Sequence, residues 1–457
     1  MFKKTLTATV ATIMFAAPAM AELVVPWFAY RTGAYAPSGI PLVDGINDYF
    51  TMVNERDGGI GGVPVRVLEC ETGYNTEKSV ECYESTKAEG SLVYQPMSTG
   101  VTYQLIPKAT ADGIALHTLG YGRTSAANGR VFSNVFNYPA NYWTGASVAV
   151  NHLLDLNGGD LSGKKVTLVY HNSAYGKEPI RVLETLSEKH GFDFNAIPVD
   201  HPGQEQKSQW LQIRREKPDY VLMWGWGVMN SVAINEAANI RFPMENFIGV
   251  WWSGSENDVI PAGLRADGYK SLALNAPGME YGIFDELKKH VFDKGLTAGA
   301  GDQIGSVIYN RALYIGFLTH MAIAKAQEVT GVADISQADM IKGMEALSAE
   351  CFRAAVRAGV HEDVAASLDA SEGGTSWATR ASYNMERMAA HGVRRAAEMR
   401  EVAKTLRDLG ISPMMTTGTI AWEQQMGDLG QSITLDADTP IADQMARIES
   451  ALEDLSS

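Results

Sequence analysis

The stretch VTLVYHNSAYG, residues 166–176, is typical of a strand that ends in a turn. Its first six residues are uncharged and mostly apolar, which favours a strand covered on both faces. Comparable strand-like runs recur along the first two thirds of the chain, at residues 23–30, 63–71, 91–96, 114–118, 194–199, 220–226, 247–252 and 271–276.

Helical stretches lie between most of these strands. Ile46, Tyr49 and Val53, for example, are spaced three and four residues apart, which places them on one face of a helix. Alternating strands and helices predict parallel sheets with helices on both faces. About twelve such elements precede residue 280, which is more than one small sheet holds, so the sequence predicts an α/β fold with two lobes.

The composition limits the classes of partner. The chain has 457 residues, of which 46% are apolar and 20% are charged, so several folded units are expected and low-complexity disorder is excluded. An excess of 53 acidic over 38 basic residues gives a formal charge of −15, which argues against a surface that binds nucleic acid. The nine histidines are scattered and the three cysteines form no CxxC pair, so no metal site is predicted.

The first 21 residues are typical of an export signal. Lys3 and Lys4 precede an uncharged, largely apolar stretch at residues 6–17, and Ala19-Met20-Ala21 has the small-x-small pattern that signal peptidase accepts. We therefore expect cleavage after Ala21 and a mature protein in the periplasm. A membrane anchor is the weaker alternative, because the apolar stretch is shorter than the roughly 20 residues that span a bilayer.

An oxidising compartment changes the interpretation of the cysteines. Cys70 ends a strand-like run and Cys82 lies in the helix-like segment that follows, so a strand-turn-helix connection could bring them within bridging distance. We expect a disulfide between them in preference to two free thiols. Cys351 is then left over.

Four short motifs connect the chain to a known family. They are Thr32-Gly33, Asn54 with the glycine-rich turn at 58–62, Asp112-Gly113-Ile114, and His171 to Tyr175-Gly176. In order and spacing they resemble the periplasmic branched-chain amino-acid-binding proteins, the type I solute receptors of ABC importers, over about residues 24–348. The resemblance implies two doubly wound lobes, joined by three crossovers, that close on a ligand. Lobe one would comprise residues 22–139 and 276–349, and lobe two residues 140–275.

The first candidate ligand contact follows the strand at residues 91–96. There, Ser98 and Thr99 precede Gly100 at the start of a helical stretch, and hydroxyls beside free backbone N–H groups suit a carboxylate. The alternative is that either hydroxyl only caps the helix. The resemblance implies that this is the position of the ligand carboxylate.

The resemblance places further ligand contacts in two turns. One is Gly120-Tyr121-Gly122, where glycine lets the backbone approach a ligand closely. Tyr121 and Arg123 replace smaller residues of the family pattern, so branched-chain specificity is not carried over. The other is Tyr175, which matches a family tyrosine that reaches into the cleft from lobe two.

Four tryptophans lie at two strand ends of lobe two. Strand alternation predicts that Trp224 and Trp226 share a face and that Trp251 and Trp252 do not, so at most about three line the cleft. We assign Trp226 and Trp252 to the ligand site, with packing under a helix as the alternative for each. Such a cleft favours a ligand with a ring, a long apolar group or a cationic nitrogen.

The segment after residue 349 has a different pattern. Residues 350–457 are predicted to be mostly helical, and they resemble the C-terminal helical domain of 6-phosphogluconate-dehydrogenase-like NAD(P) oxidoreductases through WATRA (377–381), YNMERM (383–388) and HGVRRAAEM (391–399). The dinucleotide domain that opens with GxGxxG in those enzymes has no counterpart in this sequence. We interpret the tail as a gene fusion or a joined reading frame.

These observations predict a monomeric binding protein without catalytic residues or cofactor. It would capture a small organic solute, an amino acid or an aromatic or other carboxylate, and deliver it to an ABC-importer membrane permease. Glu256 and Asp258 are the nearest acids for a ligand amino group, and both are displaced from the family position. The alternative, an oxidoreductase-related protein, is implied only by the tail.

Overall fold

The computed structural model describes residues 22–299, 301–344, 386, 389–390, 392–394, 396–397, 400, 404, 414–436, 439, 443, 446–448 and 450–451. The expected signal segment, Cys351 and most of the segment 350–457 lie outside the described residues.

Parallel strands alternate with helices along the described chain. The strands are β1 Leu23–Ala29, β2 Val65–Glu71, β3 Val93–Tyr94, β4 Ala115–His117, β5 Val135–Phe136, β6 Lys165–His171, β7 Asp193–Val199, β8 Tyr220–Trp224, β9 Phe247–Gly249 and β10 Lys270–Ser271. The helices are α1 Ala36–Asp57, α2 Thr76–Thr86, α3 Thr99–Asp112, α4 Tyr142–Leu156, α5 Ala174–Lys177, α6 Ile180–His190, α7 Lys207–Glu216, α8 Val228–Asn239, α9 Glu256–Val259, α10 Gly282–Leu287, α11 Val307–Thr330 and α12 Met414–Ser432.

The strands form two parallel sheets of the same topology. In the first sheet, β1 pairs with β2, and β4 lies between β3 and β5. A parallel bridge from Trp27 to Gln95 joins these two parts, so the strand order is β2-β1-β3-β4-β5. The second has the order β7-β6-β8-β9-β10. We call the parts built on these sheets lobe one and lobe two. The predicted α/β fold with two doubly wound lobes is confirmed.

Burial explains why the strands were visible in the sequence. All seven residues of β1 and all five of β8 are buried, because helices cover both faces of each sheet. Each of the nine predicted runs overlaps a strand. The strand β5 has only two residues, too few to show a periodic pattern, and it was not predicted.

The long helix α11 packs directly on α1 in lobe one. Glycines make this close approach possible: a Cβ on Gly45 would lie 2.7 Å from the Cβ of Ala312, and one on Gly316 would lie 2.7 Å from the Tyr49 ring. The packing fixes the first turns of α11, and with them Arg311, beside the ends of both sheets.

The expected disulfide is present in the structure. Cys70 near the end of β2 is bonded to Cys82 in α2, with 5.8 Å between the two Cα atoms. The bond ties the strand to the helix that follows it in lobe one.

The described part of the C-terminal segment is mostly helical, as predicted. Helix α12 packs against α11 and against the stretch around residues 389–393, where Gly427 and Gly430 face backbone atoms of Val393 and Ala389. Met426 and Leu429 are buried at this contact. Helix α12 therefore rests on lobe one through α11.

Candidate ligand-binding cleft

The candidate site lies where the carboxyl ends of the two sheets meet. Short loops that follow strands bring aromatic or hydroxyl side chains and one backbone carbonyl to this place. The side chains are Tyr74 after β2, Ser98 after β3, Tyr175 after β6, Trp226 after β8, and Trp251 and Trp252 after β9, and the carbonyl is that of Gly120 after β4. Ligands of open α/β sheets bind at this edge, because the strand ends and helix N-termini converge there.

Ser98 and Thr99 have different roles at the start of α3. Ser98 occupies the N-cap position, yet its side chain makes no capping hydrogen bond. Thr99 is buried, and its hydroxyl oxygen accepts a hydrogen bond of 3.1 Å from the backbone N–H of Gly122. Neither hydroxyl therefore serves as an ordinary helix cap.

The turn Gly120-Tyr121-Gly122 makes the central contact between the lobes. The carbonyl oxygen of Gly120 accepts hydrogen bonds from the indole N–H groups of Trp251 and Trp252, at 2.7 and 2.8 Å. Gly120 has φ +68°, and a Cβ there would lie 2.8 Å from Nε1 of Trp251, so a side chain would disturb both the backbone and the contact.

This geometry corrects the prediction for the two adjacent tryptophans. Strand β9 ends at Gly249, so Trp251 and Trp252 lie in the following turn, where side chains no longer alternate. Both indoles therefore reach the same carbonyl group. Trp224, by contrast, is buried inside β8.

Tyr121 is buried and fastens the turn to lobe one. Its hydroxyl accepts a hydrogen bond from the backbone N–H of Met97 and donates one to the carbonyl of His117, at 3.1 and 3.3 Å. Its ring lies edge-on to Trp252 at a centroid distance of 6.2 Å. These contacts place the ring, rather than the hydroxyl, toward the second lobe.

Aromatic rings from both lobes surround the cleft. Trp226 lies 6.4 Å from the Tyr74 ring and 5.3 Å from the Trp252 ring, and its indole N–H is buried without a hydrogen-bond partner. The Tyr175 hydroxyl donates to the carbonyl of Gly225 at 2.9 Å, and its ring packs on Tyr142 at 5.1 Å. The structure thus brings the predicted Trp226, Trp252 and Tyr175 into one aromatic wall.

Three residues of the cleft were not identified from the sequence: Tyr74, Tyr142 and Arg311. Tyr74 and Tyr142 stand among the other rings, and burial raises the pKa of both phenols above the usual value. Tyr74 was detectable, because it follows a predicted strand in the same way as Ser98. Arg311 was not detectable from the sequence, because the apolar pattern of a long helix does not show that one of its arginines contacts a distant loop.

Arg311 is a fully buried cation beside Trp252. Its Nε donates to Oδ1 of Asn275 at 2.9 Å, and its Nη1 donates to the carbonyl of Trp251 at 2.6 Å. The guanidinium carbon lies 4.6 Å from the Trp252 ring centroid, whereas Nη2 is buried without a partner. Burial lowers the pKa of Arg311 to about 10, so the side chain remains charged at neutral pH.

The lobes are closed on each other in this structure. The hydroxyl of Tyr35 and Nε2 of His171 are hydrogen-bonded across the cleft at 2.9 Å. Glu178 of lobe two accepts hydrogen bonds from the Tyr103 hydroxyl at 2.5 Å and from the backbone N–H of Thr124 at 3.1 Å. Burial, and to a smaller extent nearby His201, lowers the pKa of His171 to about 4.

Comparison with protein families decides the classification. A family model described as periplasmic binding protein matches residues 22–367, about three quarters of the chain. The chain belongs to the periplasmic binding protein family. The match extends beyond residue 348, where the sequence resemblance was expected to end. Proteins of this family act outside the cytoplasm.

Solved structures place this periplasmic binding protein among ABC-transporter proteins. It is 39% identical to an ABC transporter permease from the Pseudomonas fluorescens group, with a TM-score of 0.65 over 71% of this chain and 80% of that chain. A branched-chain amino acid ABC transporter from Thermus thermophilus with bound valine shares the fold at 17% identity, with a TM-score of 0.62 over 70% and 82% of the two chains. A solute-binding protein from R. palustris in complex with benzoate does so at 17% identity, with a TM-score of 0.57 over 71% and 85%. No curated protein matches the sequence.

The tail has a separate match. A family model described as a domain of unknown function, DUF1932, covers residues 355–426 and overlaps the end of the first match. This match is consistent with the resemblance of the tail to the C-terminal domain of 6-phosphogluconate-dehydrogenase-like proteins.

The acids near the cleft of this binding protein are occupied by protein donors. Both oxygens of Glu256 lie 3.1 Å from the backbone N–H of Val307. Asp258 accepts from the backbone N–H and hydroxyl of Ser255 at 2.8 Å and from Asn230 at 2.9 Å. Burial raises the pKa of Asp258 to about 6. Neither carboxylate has the open geometry that a ligand ammonium group would need.

Within the described part of the chain, no group of three or more His, Cys, Asp or Glu side chains is arranged to hold a metal ion. No helix in the same residues is both long enough and apolar enough to cross a bilayer.

Proposed function

We propose that this protein is the solute receptor of an ABC importer, which captures a small organic solute between its lobes and delivers it to a membrane permease. The observation that carries the proposal is the meeting of aromatic walls from both lobes at the carboxyl ends of two parallel sheets, with the unpartnered N–H of Trp226 buried between them. Membership of the periplasmic binding protein family supports it. The protein would act as a non-enzymatic monomer.

The proposed ligand site uses groups from both lobes. Ser98 and Thr99 would receive a carboxylate at the start of α3, where the Ser98 hydroxyl is not used as a helix cap. The Gly120-Tyr121-Gly122 turn and Tyr175 would shape the walls. Trp226 and Trp252 would cover an apolar or aromatic ligand body.

The ligand class we propose is an amino acid or an aromatic or other carboxylate. Two proteins of the same fold were solved with valine and with benzoate. The aromatic walls of the present cleft would suit either a ring or a branched apolar group next to the acid group.

The remaining parts of the chain fit the same proposal. Residues 1–21 would direct export to the periplasm, residues 22–139 with 276–349 would form lobe one, and residues 140–275 would form lobe two. Residues 350–457 would be a fused fragment outside the transport function, because the second family match begins at residue 355.

A thermal-shift screen of the mature protein tests the proposal. The panel contains amino acids, aromatic acids, aliphatic acids, their amides, and NADH. A ligand that binds only the folded state stabilises it by about 2.7 kcal/mol at a hundredfold excess over Kd, a readily measured shift. A shift with an organic solute is expected. A shift with NADH alone would contradict the proposal and favour the oxidoreductase alternative.

Paired substitutions test the assigned site. Replacing Ser98 and Thr99 together by alanine should weaken binding of the best solute by about 1.5–3 kcal/mol, the usual value for hydrogen bonds to a charged group. The matched control replaces Thr185 and Ser187, whose hydroxyls bond to carbonyls of their own helix α6. Equal affinity in both variants would show that the two cleft hydroxyls do not hold the ligand.

A further inference from the structure

The cleft contains a buried positive charge that the protein does not neutralise. Arg311 is fully buried, and no acidic side chain in the described part of the chain forms an ion pair with it. Two of its nitrogens donate to neutral groups, and the third, Nη2, has no partner. A buried cation in this condition is costly unless an anion joins it, because desolvation removes several kcal/mol of hydration per ion.

The nearby acids do not neutralise it. Asp258 and Glu256 lie close enough to raise the pKa of Arg311 electrostatically. Their oxygens, however, are held by Ser255, Asn230 and the N-terminus of α11. They therefore reduce the positive potential without supplying a hydrogen-bond acceptor for Nη2.

Arg311 stands at the corner where the ligand acid group is proposed. Its guanidinium lies over the Trp252 ring, and its Nη1 donates to the carbonyl of Trp251. The Gly120-Tyr121-Gly122 turn accepts the indole N–H groups of both tryptophans and donates a backbone N–H to the hydroxyl of Thr99. This turn thus connects the start of α3 with the loop that holds the guanidinium.

The other unpartnered polar groups nearby bear on the charge of the ligand. The indole N–H groups of Trp226 and Trp224 are further buried donors without a partner. The unpartnered acceptors include Oε1 of Gln95, Oδ1 of Asn230 and Oδ1 of Asn310, which are neutral amide oxygens. A neutral oxygen does not offset the full charge of a desolvated ammonium group.

We propose that Arg311 is the charge partner of the ligand's acid group, and that the ligand is an organic anion without an α-ammonium group. This inference rests on the proposed function and narrows its ligand class from amino acids and carboxylates to carboxylates. The guanidinium fork matches the two oxygens of a carboxylate, and the neighbouring tryptophan faces hold the ligand body.

Two series of matched ligands test the proposal on the mature full-length protein by calorimetry. The aromatic series is 3-phenylpropionate, 3-phenylpropionamide and L-phenylalanine, and the aliphatic series is 4-methylpentanoate, its amide and L-leucine. Within each series the body is constant, and only the acid charge or the α-ammonium group changes. We expect the acid of the better-fitting series to bind at least tenfold more tightly than both its amide and its amino acid.

Arg311→Gln isolates the contribution of the guanidinium. We expect it to weaken acid binding about a hundredfold and amide binding less than threefold, so that the preference for acid over amide is lost. Arg311→Lys should keep part of that preference, because it retains the charge but not the fork. The control is Arg56→Gln, an arginine of α1 that pairs with Asp57 and Glu286 outside the cleft.

Each outcome separates the inference from the proposed function. If an amino acid binds more tightly than its matched acid, the inference is wrong and the solute-receptor function stands. If Arg311→Gln keeps the acid preference of the wild type, Arg311 is not the charge partner. If no member of either series binds, the proposed function fails for both ligand classes. Should neither Arg311 variant fold, the wild-type order of acid, amide and amino acid still decides the charge of the ligand.

Discussion

The shared carbonyl of Gly120 allows a sharp test of how the lobes are held together. It accepts the indole N–H groups of Trp251 and Trp252 at 2.7 and 2.8 Å, and all three residues are buried. We consider Trp251→Phe, Trp252→Phe and the double substitution. Phenylalanine removes the donor at either position, and at position 252 it keeps an aromatic face over Arg311.

The expected energies follow from the number of donors left. Either single variant leaves the Gly120 carbonyl with one hydrogen bond, so it should lose about 0.5–1.5 kcal/mol of unfolding free energy besides the cost of the smaller ring. The double variant leaves a buried carbonyl without either donor, which adds a desolvation penalty of about 1–3 kcal/mol. The two substitutions should therefore be non-additive by about 1–2 kcal/mol.

Urea unfolding of the four proteins, followed by far-UV circular dichroism, measures this coupling. The control cycle combines Trp252→Phe with Trp210→Phe, because Trp210 donates to Gln206 in a different hydrophobic core of lobe two. That pair should be additive to within about 0.5 kcal/mol. A coupling between Trp251 and Trp252 no larger than in the control would refute the shared-acceptor argument.

Three further outcomes are expected. The imidazole of His171 should remain neutral from pH 8 to pH 5 in NMR titration, because burial holds its pKa at about 4. Its contribution to stability is then complete above about pH 6.5 and is lost as the pH falls toward 4, whereas a midpoint near 6.5 would contradict the buried environment. Replacing Cys70 and Cys82 by alanine should lower the unfolding free energy by about 3 kcal/mol, as expected for a disulfide across a sequence separation of 12, and an unchanged urea midpoint would show that the bond adds no stability. Limited proteolysis should cut between residues 348 and 375, near the overlap of the two family matches, and leave solute affinity unchanged; loss of binding would make the tail part of the receptor.

The fold was predictable because parallel sheets covered on both faces leave continuous apolar runs in the sequence. The ends of the strands were less predictable. The run 220–226 corresponds to a strand that ends at Trp224, and the run 247–252 to one that ends at Gly249. Apolar residues continue beyond both strands into the closed cleft, and hydrophobicity alone does not distinguish a buried strand from a buried loop.

The location of the candidate site was also predictable in part. Ser98 and Tyr175 follow predicted strands and Trp226 ends one, and the carboxyl ends of parallel strands meet at one edge. Their partners were not predictable. Thr99 was expected to face a ligand, and in the structure its hydroxyl also holds Gly122.

Local sequence patterns record which residues are buried and with what period, and this information was enough for the sheets, the covering helices and the loops that carry the site. It does not record which segments meet. Gly120 receives hydrogen bonds from residues 131 and 132 positions away, and Arg311 donates to a carbonyl 60 positions before it. Hydrogen-bond partners and the neutralisation of a buried charge depend on groups brought together by folding, so the closed cleft and its unpaired cation belong to the tertiary structure alone.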